Sequence, residues 1–276
     1  MRALEQIQEW PVRHAAAGVV TREGRWSAGE PDRVYRLASV TKPLAAYAVL
    51  VAVEEGAIEL DQPAGPPGAT VRHLLAHTSG VAFDTTDILA RPGAKRIYSS
   101  AGFELLADAV TEHTGIPFPE YLRQGVFEPL GMVDSELTGS AGHGASSTLA
   151  DLLRFAAELL EPRLISAHTL AEATSVQFPG SDGVLPGFGS QRPNDWGLGF
   201  EIKDGKSPHW TGSANSPETF GHFGQSGTFL WVDPRPGVAC VALSDENFGD
   251  WSREVWPPFS DSVIAEATLA RNTAVK

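Results

Sequence analysis

Residues 37–44 read Leu-Ala-Ser-Val-Thr-Lys-Pro-Leu and open the longest uncharged apolar stretch of the chain. Ser39 can cap a helix, and Pro43 falls in the first turn, where its missing N–H costs no hydrogen bond. No charged residue lies between Lys42 and Glu54. A helix that is apolar on all sides belongs in a protein core. The stretch therefore predicts a buried helix around which the rest of the fold is arranged.

Strand patterns lie near both ends of the chain, and helical patterns fill its middle. Apolar runs bounded by turn residues predict strands at residues 15–20, 34–37, 196–202, 228–232 and 238–244. Helical periodicity and N-cap residues predict helices at residues 4–10, 71–77, 99–113, 119–126, 148–160, 166–174 and 263–271. This order predicts an α/β (α+β) fold with a sheet lobe, residues 1–37 and 176–276, and an inserted helical lobe, residues 38–175.

Composition excludes several classes of function. The chain of 276 residues has a formal net charge of −13, which repels phosphate backbones, so we expect no nucleic-acid partner. Its single cysteine, Cys240, permits neither an intramolecular disulfide nor a cysteine-based zinc site. The first residues lack the apolar run of a secretory signal, and the longest apolar run, 43–53, is about half of what a membrane helix needs. We therefore predict a cytoplasmic protein without a membrane span, monomeric or a small homo-oligomer.

Ser39 and Lys42 are the first candidates for catalysis. Residues i and i+3 share a helix face, so the amine can reach the hydroxyl. Burial at the start of an apolar helix lowers the pKa of a lysine toward a value at which its neutral amine accepts a proton. The helix N-terminus also favours developing negative charge. The alternative is a capping serine beside a lysine that extends to the surface.

These residues open a series of motifs that resembles the serine β-lactamases and penicillin-binding proteins, especially the class C-like branch with D-alanyl-D-alanine carboxypeptidases and esterases. The resemblance covers nearly the whole chain, in matching order and spacing. Its most specific part is Leu-Leu-Ala-His-Thr-Ser-Gly at residues 74–80. The other matching segments are Ser39-Val40-Thr41-Lys42, residues 56–63, Tyr98-Ser99-Ser100, residues 146–152 and His222-Phe223-Gly224.

The resemblance implies a β-lactamase-like fold, with an antiparallel sheet flanked by helices and an inserted all-helical lobe, in one catalytic domain spanning residues 1–276. It implies that Ser39 is the nucleophile that forms an acyl-enzyme. Lys42 accepts or relays the proton of the serine, and Tyr98 moves a proton to the leaving group and activates the deacylating water. The backbone N–H groups of Ser39 and Gln225 form the oxyanion hole.

The resemblance further implies that Ser100, His222 and Gly224 contact the substrate. Two of them depart from the family pattern. Ser100 replaces an asparagine that holds the lysine and the substrate amide, and His222 replaces a lysine that attracts a substrate carboxylate. Esters without a carboxylate therefore become more plausible substrates than peptides or β-lactams. A second segment, Trp210-Thr211-Gly212, competes with His222-Phe223-Gly224 for the third motif, and we prefer the latter because a hairpin follows it.

The predicted function is hydrolysis of small carboxylic esters by a cofactor-free serine hydrolase. Two alternatives stay open: amide hydrolysis, as a D-alanyl-D-alanine carboxypeptidase or β-lactamase, and a catalytically inactive binding protein on the same scaffold. A metal at His73 and His77 is disfavoured because the HExxH glutamate is missing. Tryptophans such as Trp196 and Trp210 either belong to the core or line an apolar acyl pocket.

Overall fold

An antiparallel sheet of six strands forms the centre of the fold in the computed structural model, which describes residues 1–274 and the side chains of residues 1–270. The strands are β1 (Ala15–Val20), β2 (Arg25–Gly29), β3 (Tyr35–Arg36), β4 (Glu136–Leu137), β5 (Ala145–Ser147), β6 (Gly183–Leu185), β7 (Gly189–Gln191), β8 (Glu201–Ile202), β9 (Phe220–Gly224), β10 (Thr228–Asp233) and β11 (Val238–Ser244). The central sheet has the order β2-β1-β11-β10-β9-β8, so β1 pairs with β11 and joins the two ends of the chain.

Helices cover both faces of this sheet. They are α1 (Thr41–Glu54), α2 (Val71–Leu75), α3 (Ala101–Thr114), α4 (Phe118–Leu122), α5 (Glu128–Leu130), α6 (Leu149–Leu160), α7 (Ala167–Ala173) and α8 (Asp250–Ala274). Two 3₁₀ segments, Arg2–Glu9 and Ala38–Val40, and a π-helical turn, Arg123–Phe127, complete the set.

Strand β1 shows how the sequence divides the core into two layers. Its side chains alternate between the two faces of the sheet. Ala16 and Val20 join the core that contains α1 and α6, whereas Ala17 and Val19 join the core beneath α8. Gly18 lies on the α6 side, where a Cβ would come 2.7 Å from Leu153, so glycine permits the close approach of that helix.

Helix α1 is the buried helix that the apolar stretch predicts. Its side chains from Thr41 through Ala52 are buried. Tyr47 anchors it to α6 by donating a 2.7 Å hydrogen bond to Glu158. Gly199 packs against it with a φ of +86°, and a Cβ there would lie 2.1 Å from Ala46. The helix therefore joins the helical layer to the sheet.

The predicted fold class and most elements are confirmed, and two elements differ clearly in length from the prediction. The strand expected over residues 196–202 is confined to β8, because only two residues of that run pair with β9. The C-terminal helix begins at Asp250 rather than Val263, although Pro257 and Pro258 lie inside it.

Several strands of the structure are not predicted by the sequence patterns. Strand β2 pairs with β1, although its residues alternate between half-buried and exposed positions at the sheet edge. Strands β4 and β5, inside the segment expected to be all-helical, form a small sheet with β3. Helix α6, placed in the helical lobe by the expected boundaries, packs on β1 and β11. The division into two lobes stays a prediction.

Across residues 1–274, the structure contains no helix long and apolar enough to cross a membrane. The cytoplasmic location and the oligomeric state stay predictions.

A pair of glycine substitutions tests how tightly α1 is held. Gly199→Ala adds both an unfavourable positive φ and a clash with Ala46, whereas Gly180→Ala, at φ +79°, meets nothing within 4 Å. We expect the first to lower the free energy of unfolding by about 3 kcal/mol and the second by about 1 kcal/mol. Urea unfolding measures both values. Equal losses in the two variants would contradict the tight contact between Gly199 and α1.

Candidate active site

Ser39 lies in the 3₁₀ turn Ala38–Val40 that leads into α1. The preceding residue, Ala38, has a φ of +45°, a conformation that costs a non-glycine residue about 1 kcal/mol or more. Two hydroxyl groups hold this turn from the β9–β10 hairpin. Thr228 donates to the carbonyl of Leu37 at 2.9 Å, and Ser226 donates to the carbonyl of Arg36 at 2.6 Å. The surrounding structure thus fixes the strained turn that presents the serine.

Gly224 allows β9 to approach Ser39 closely. A Cβ at this position would lie 2.2 Å from the carbonyl oxygen of Leu37, so any larger residue would push the strand away. The next residue, Gln225, lines the same pocket as Ser39. This arrangement is compatible with an oxyanion hole formed by the N–H groups of Ser39 and Gln225, and that role stays a prediction.

Lys42 is completely buried one helical turn after the serine. Its Nζ donates hydrogen bonds to Ser100 Oγ at 3.1 Å and to the carbonyl oxygen of Gly142 at 2.9 Å. Among the described side chains, no carboxylate forms an ion pair with it. Desolvation lowers the pKa of Lys42 to about 7, against a smaller opposing effect of Glu104. The structure therefore excludes the alternative in which this lysine extends to the surface.

The two hydrogen bonds of Lys42 match its neutral form. A protonated lysine has three N–H donors and no acceptor, whereas a neutral amine has two N–H groups and one lone pair. Ser100 and Gly142 use two donors. Neither contact uses the lone pair, which stays available to a proton donor such as Ser39, three residues earlier in the chain. The amine can therefore accept a proton near neutral pH.

Tyr98 lies between the serine and His222. Its ring centroid is 4.5 Å from Lys42 Nζ, and its hydroxyl is 3.2 Å from His222 Nε2. Burial raises the pKa of Tyr98, while a hydrogen bond from the Ser39 hydroxyl acts in the opposite direction. Because burial dominates, Tyr98 is a phenol and not a phenolate at neutral pH.

The hydrogen bonds of His222 define its tautomer. Its Nδ1 lies 2.6 Å from the carbonyl oxygen of Phe223, which can only accept, so Nδ1 carries the proton. Nε2 then accepts from the Tyr98 hydroxyl. Burial and the positive charge of Lys42 lower the pKa of His222 to about 3. His222 is therefore neutral at pH 7 and provides no positive charge for a substrate carboxylate.

Ser100 takes over one of the two tasks expected of the missing asparagine. Its hydroxyl accepts the hydrogen bond from Lys42. Gly142 provides the second acceptor, and its backbone is so close that a Cβ there would lie 2.9 Å from Ser100 Cβ. The lysine is thus held by a short side chain and a backbone carbonyl. No signal in the sequence pointed to Gly142, because it lies 100 residues away from Lys42.

A pocket of about 170 Å³ opens beside Ser39. Its lining is rich in aromatic side chains, namely Phe83, Tyr98, Trp196, Trp210 and Phe223, and also includes the buried carboxylate of Glu201. Trp196 and Trp210 are each 1% exposed, whereas Phe83 stands at the rim and is 53% exposed. The pocket therefore suits an apolar group attached to the carbonyl that Ser39 attacks.

A buried ionic cluster lies behind this pocket. Glu201 forms an ion pair with Lys206 and accepts hydrogen bonds of 2.9 Å from His209 Nε2 and from Trp210 Nε1. These partners hold the pKa of Glu201 well below its usual range despite its burial. Sequence reasoning missed Glu201 and Lys206, since nothing in their spacing relates them to the serine.

The two candidates for the third motif lie at different places in the fold, and the choice between them stays a prediction. His222-Phe223-Gly224 lies in β9, directly beside the turn that carries Ser39. Trp210 instead contributes its indole to the pocket wall.

The two histidines considered for a metal face different neighbours. His73 Nδ1 lies 2.9 Å from the hydroxyl of Thr70, while His77 Nδ1 accepts from the backbone N–H of Ser99 at 3.1 Å. Within the described residues, no group of three or more metal-binding side chains occurs.

Known proteins resemble the chain over most of its length or over shorter segments. The model of the Beta-lactamase family matches residues 9–263. The crystal structure of a β-lactamase from Mycobacterium bovis superposes with a TM-score of 0.95 at 58% identity, covering 96% of this chain and 99% of that one.

Two curated relatives match shorter segments. The D-alanyl-D-alanine-carboxypeptidase/endopeptidase AmpH of Escherichia coli is 27% identical over 44% of this chain and 41% of its own length. Esterase EstB of Burkholderia gladioli is 32% identical over 43% of this chain and 42% of its own length. The matched region thus spans about two fifths of these relatives.

The pKa of Lys42 predicts how reaction at Ser39 depends on pH. Above pH 7 the amine is neutral and accepts a proton; below pH 7 it is protonated and inactive as a base. We expect the rate of Ser39 acylation to fall about tenfold per unit below an apparent pKa of about 7. Stopped-flow acylation from pH 5 to 9 measures this limb. A rate that stays constant from pH 9 down to pH 5, as expected for a base with a pKa of about 3 such as His222, would contradict the assignment of the base to Lys42.

Proposed function

Because the chain belongs to the Beta-lactamase family, we propose that it is a serine hydrolase that acts on small, uncharged carboxylic esters through an acyl-enzyme on Ser39. The observation that carries the proposal is the aromatic pocket beside Ser39, whose lining includes a neutral histidine and no unpaired cation among the described residues.

Comparison of pKa values favours Lys42 as the general base. Three groups near the serine could accept its proton. A base with a pKa of about 3, such as His222, is too weak at neutral pH, and Tyr98 is protonated because burial raises its pKa. Lys42, with a pKa of about 7, combines a large neutral fraction with adequate basicity.

The first step transfers the acyl group to the enzyme. Lys42 takes the hydroxyl proton as Ser39 Oγ forms a bond to the ester carbonyl carbon. The N–H groups of Ser39 and Gln225 stabilise the resulting oxyanion. When the carbon–oxygen bond to the alcohol breaks, Tyr98 donates its proton to the departing oxygen and regains one from the Lys42 ammonium.

The second step releases the acid. Water replaces the alcohol, gives a proton to the neutral amine of Lys42, and attacks the acyl carbonyl carbon. The bond between that carbon and Ser39 Oγ then breaks as the acid forms, and Oγ regains a proton from the Lys42 ammonium. His222 accepts a hydrogen bond from Tyr98 in the resting site and positions the phenol.

Two features favour esters over amides. His222 is neutral, so the site has lost the cation that would attract a substrate carboxylate. The Ser100 hydroxyl is occupied by Lys42 and has at most one proton to offer a substrate amide. An ester that has neither a carboxylate nor an amide needs neither of these interactions, so its binding is not weakened by their absence.

Amide hydrolysis is the second candidate, because the 58% identical protein from Mycobacterium bovis is described as a β-lactamase. A penicillin tests this candidate directly, since a slow deacylation step would leave a stable adduct.

Intact-mass spectrometry tests the proposal. The protein is exposed separately to a fluorophosphonate, p-nitrophenyl acetate and a penicillin. We expect a fluorophosphonate adduct and a transient acetyl adduct, both lost in Ser39→Ala, and at least a hundredfold slower labelling by penicillin than by the ester. Ser27→Ala, at an exposed position on β2, is the matched control and should label like the wild type.

The possible outcomes separate the candidates. Penicillin labelling as fast as ester labelling would overturn the ester preference in favour of amide hydrolysis. Folded protein that no reagent labels at Ser39 would contradict catalysis and favour a binding protein on the same scaffold.

A further inference from the structure

Trp210 lines the pocket beside Ser39 and is among the most deeply buried residues of its wall. Its ring is 1% exposed and lies 5.8 Å from the ring of Phe223 and 6.1 Å from that of Phe229, measured between centroids. The indole therefore packs into the core on one side and limits the pocket on the other. Any group that extends deeper would have to displace this ring.

A buried carboxylate holds the ring in place. Trp210 Nε1 donates to Glu201 Oε2 at 2.9 Å, and Glu201 is itself 1% exposed. Lys206 pairs with the other carboxylate oxygen and also donates to the carbonyl groups of Asp195 and Ile202. Each N–H of the ammonium therefore has an acceptor, and the carboxylate cannot move without breaking an ion pair.

His209 completes the arrangement in a defined tautomer. The backbone N–H of Thr211 donates to His209 Nδ1 at 3.1 Å, so Nδ1 is an acceptor. Nε2 then carries the proton and donates it to Glu201 at 2.9 Å. Rotation of the Trp210 ring would leave a carboxylate lone pair unsatisfied in the protein interior, which is unfavourable. The indole is thus a rigid wall rather than an adaptable one.

We propose that Trp210, fixed by Glu201, determines the length of the apolar substrate group and restricts the enzyme to short chains or a single ring. This inference rests on the proposed ester hydrolysis. An apolar cavity of about 150 Å³ is large enough to hold benzene, and the pocket here measures about 170 Å³. Acetyl to butyryl groups, or one phenyl ring, match this space, whereas an octanoyl chain exceeds it.

Trp210→Phe tests the wall. Phenylalanine shortens the ring and leaves Glu201 paired with both Lys206 and His209. We measure kcat/KM for p-nitrophenyl acetate, butyrate and octanoate, and for ethyl, hexyl and phenyl acetate. In the wild type we expect kcat/KM to fall sharply as the chain lengthens in one of these two series, either the acyl series or the alcohol series. In Trp210→Phe we expect the long-to-short ratio in that series to rise at least about tenfold.

Trp231→Phe is the matched control. Trp231 is also fully buried and hydrogen-bonded, to Ser260 at 3.2 Å, but it does not line the pocket. Its chain-length profile should equal that of the wild type. A change in the acyl series assigns the pocket to the acyl chain, and a change in the alcohol series assigns it to the alcohol.

A second variant tests the proposal independently, in case Trp210→Phe does not fold. Leu185→Ala enlarges the same pocket without touching the ionic cluster, and circular dichroism confirms that each variant is folded. Unchanged profiles in both folded variants, with Ser39-dependent ester hydrolysis intact, would overturn the role of Trp210 and leave the proposed function standing. Absence of Ser39-dependent hydrolysis in the wild type would instead refute the proposed function.

Discussion

The candidate active site depends on one buried amine that has no anionic partner among the described side chains. Lys42 is enclosed at the start of α1 and, within this part of the chain, its amine donates hydrogen bonds to two neutral oxygens, those of Ser100 and Gly142. An ammonium ion in this environment is costly, so the lysine gives up its proton near pH 7 instead of pH 10.5. The unfolded chain binds this proton more strongly, and for this group the free energy of unfolding therefore rises with pH between 7 and 10.5.

The same principle distinguishes the two buried lysines near the pocket. Lys206 is buried like Lys42, but it forms an ion pair with Glu201, whose carboxylate balances the charge of the ammonium. Lys206, which is paired, helps to hold Glu201 and thereby the Trp210 ring in the pocket wall. Lys42, which has no carboxylate partner among the described side chains, can exchange a proton near neutral pH. His222 is also buried, and because burial lowers its pKa to about 3, it is neutral at pH 7. Taken together, these groups leave the space beside Ser39 without a net charge to attract an ionic substrate.

The sequence predicted the parts of the fold that depend on local pattern. The apolar run after Lys42 could only be a buried helix, and the motif order brought Ser39, Tyr98 and His222 to one site. Features set by distant contacts could not be predicted. Gly142 reaches Lys42 from a loop between β4 and β5, and Glu201 reaches Trp210 across the turn after β8, although neither position carries a local signal. Strand β2 was missed because its exposed edge lacks the apolar character of the central strands.

The most direct test of this account is the pKa of Lys42, measured by NMR titration of protein labelled with ¹³C at the lysine ε-carbon. The chain has only five lysines, and Lys42→Met identifies the signal. The structure predicts that this signal titrates near pH 7 in both the wild type and Ser39→Ala. Titration above pH 10, as for an ordinary solvated lysine, would show that Lys42 is protonated at neutral pH and would contradict its role as the base.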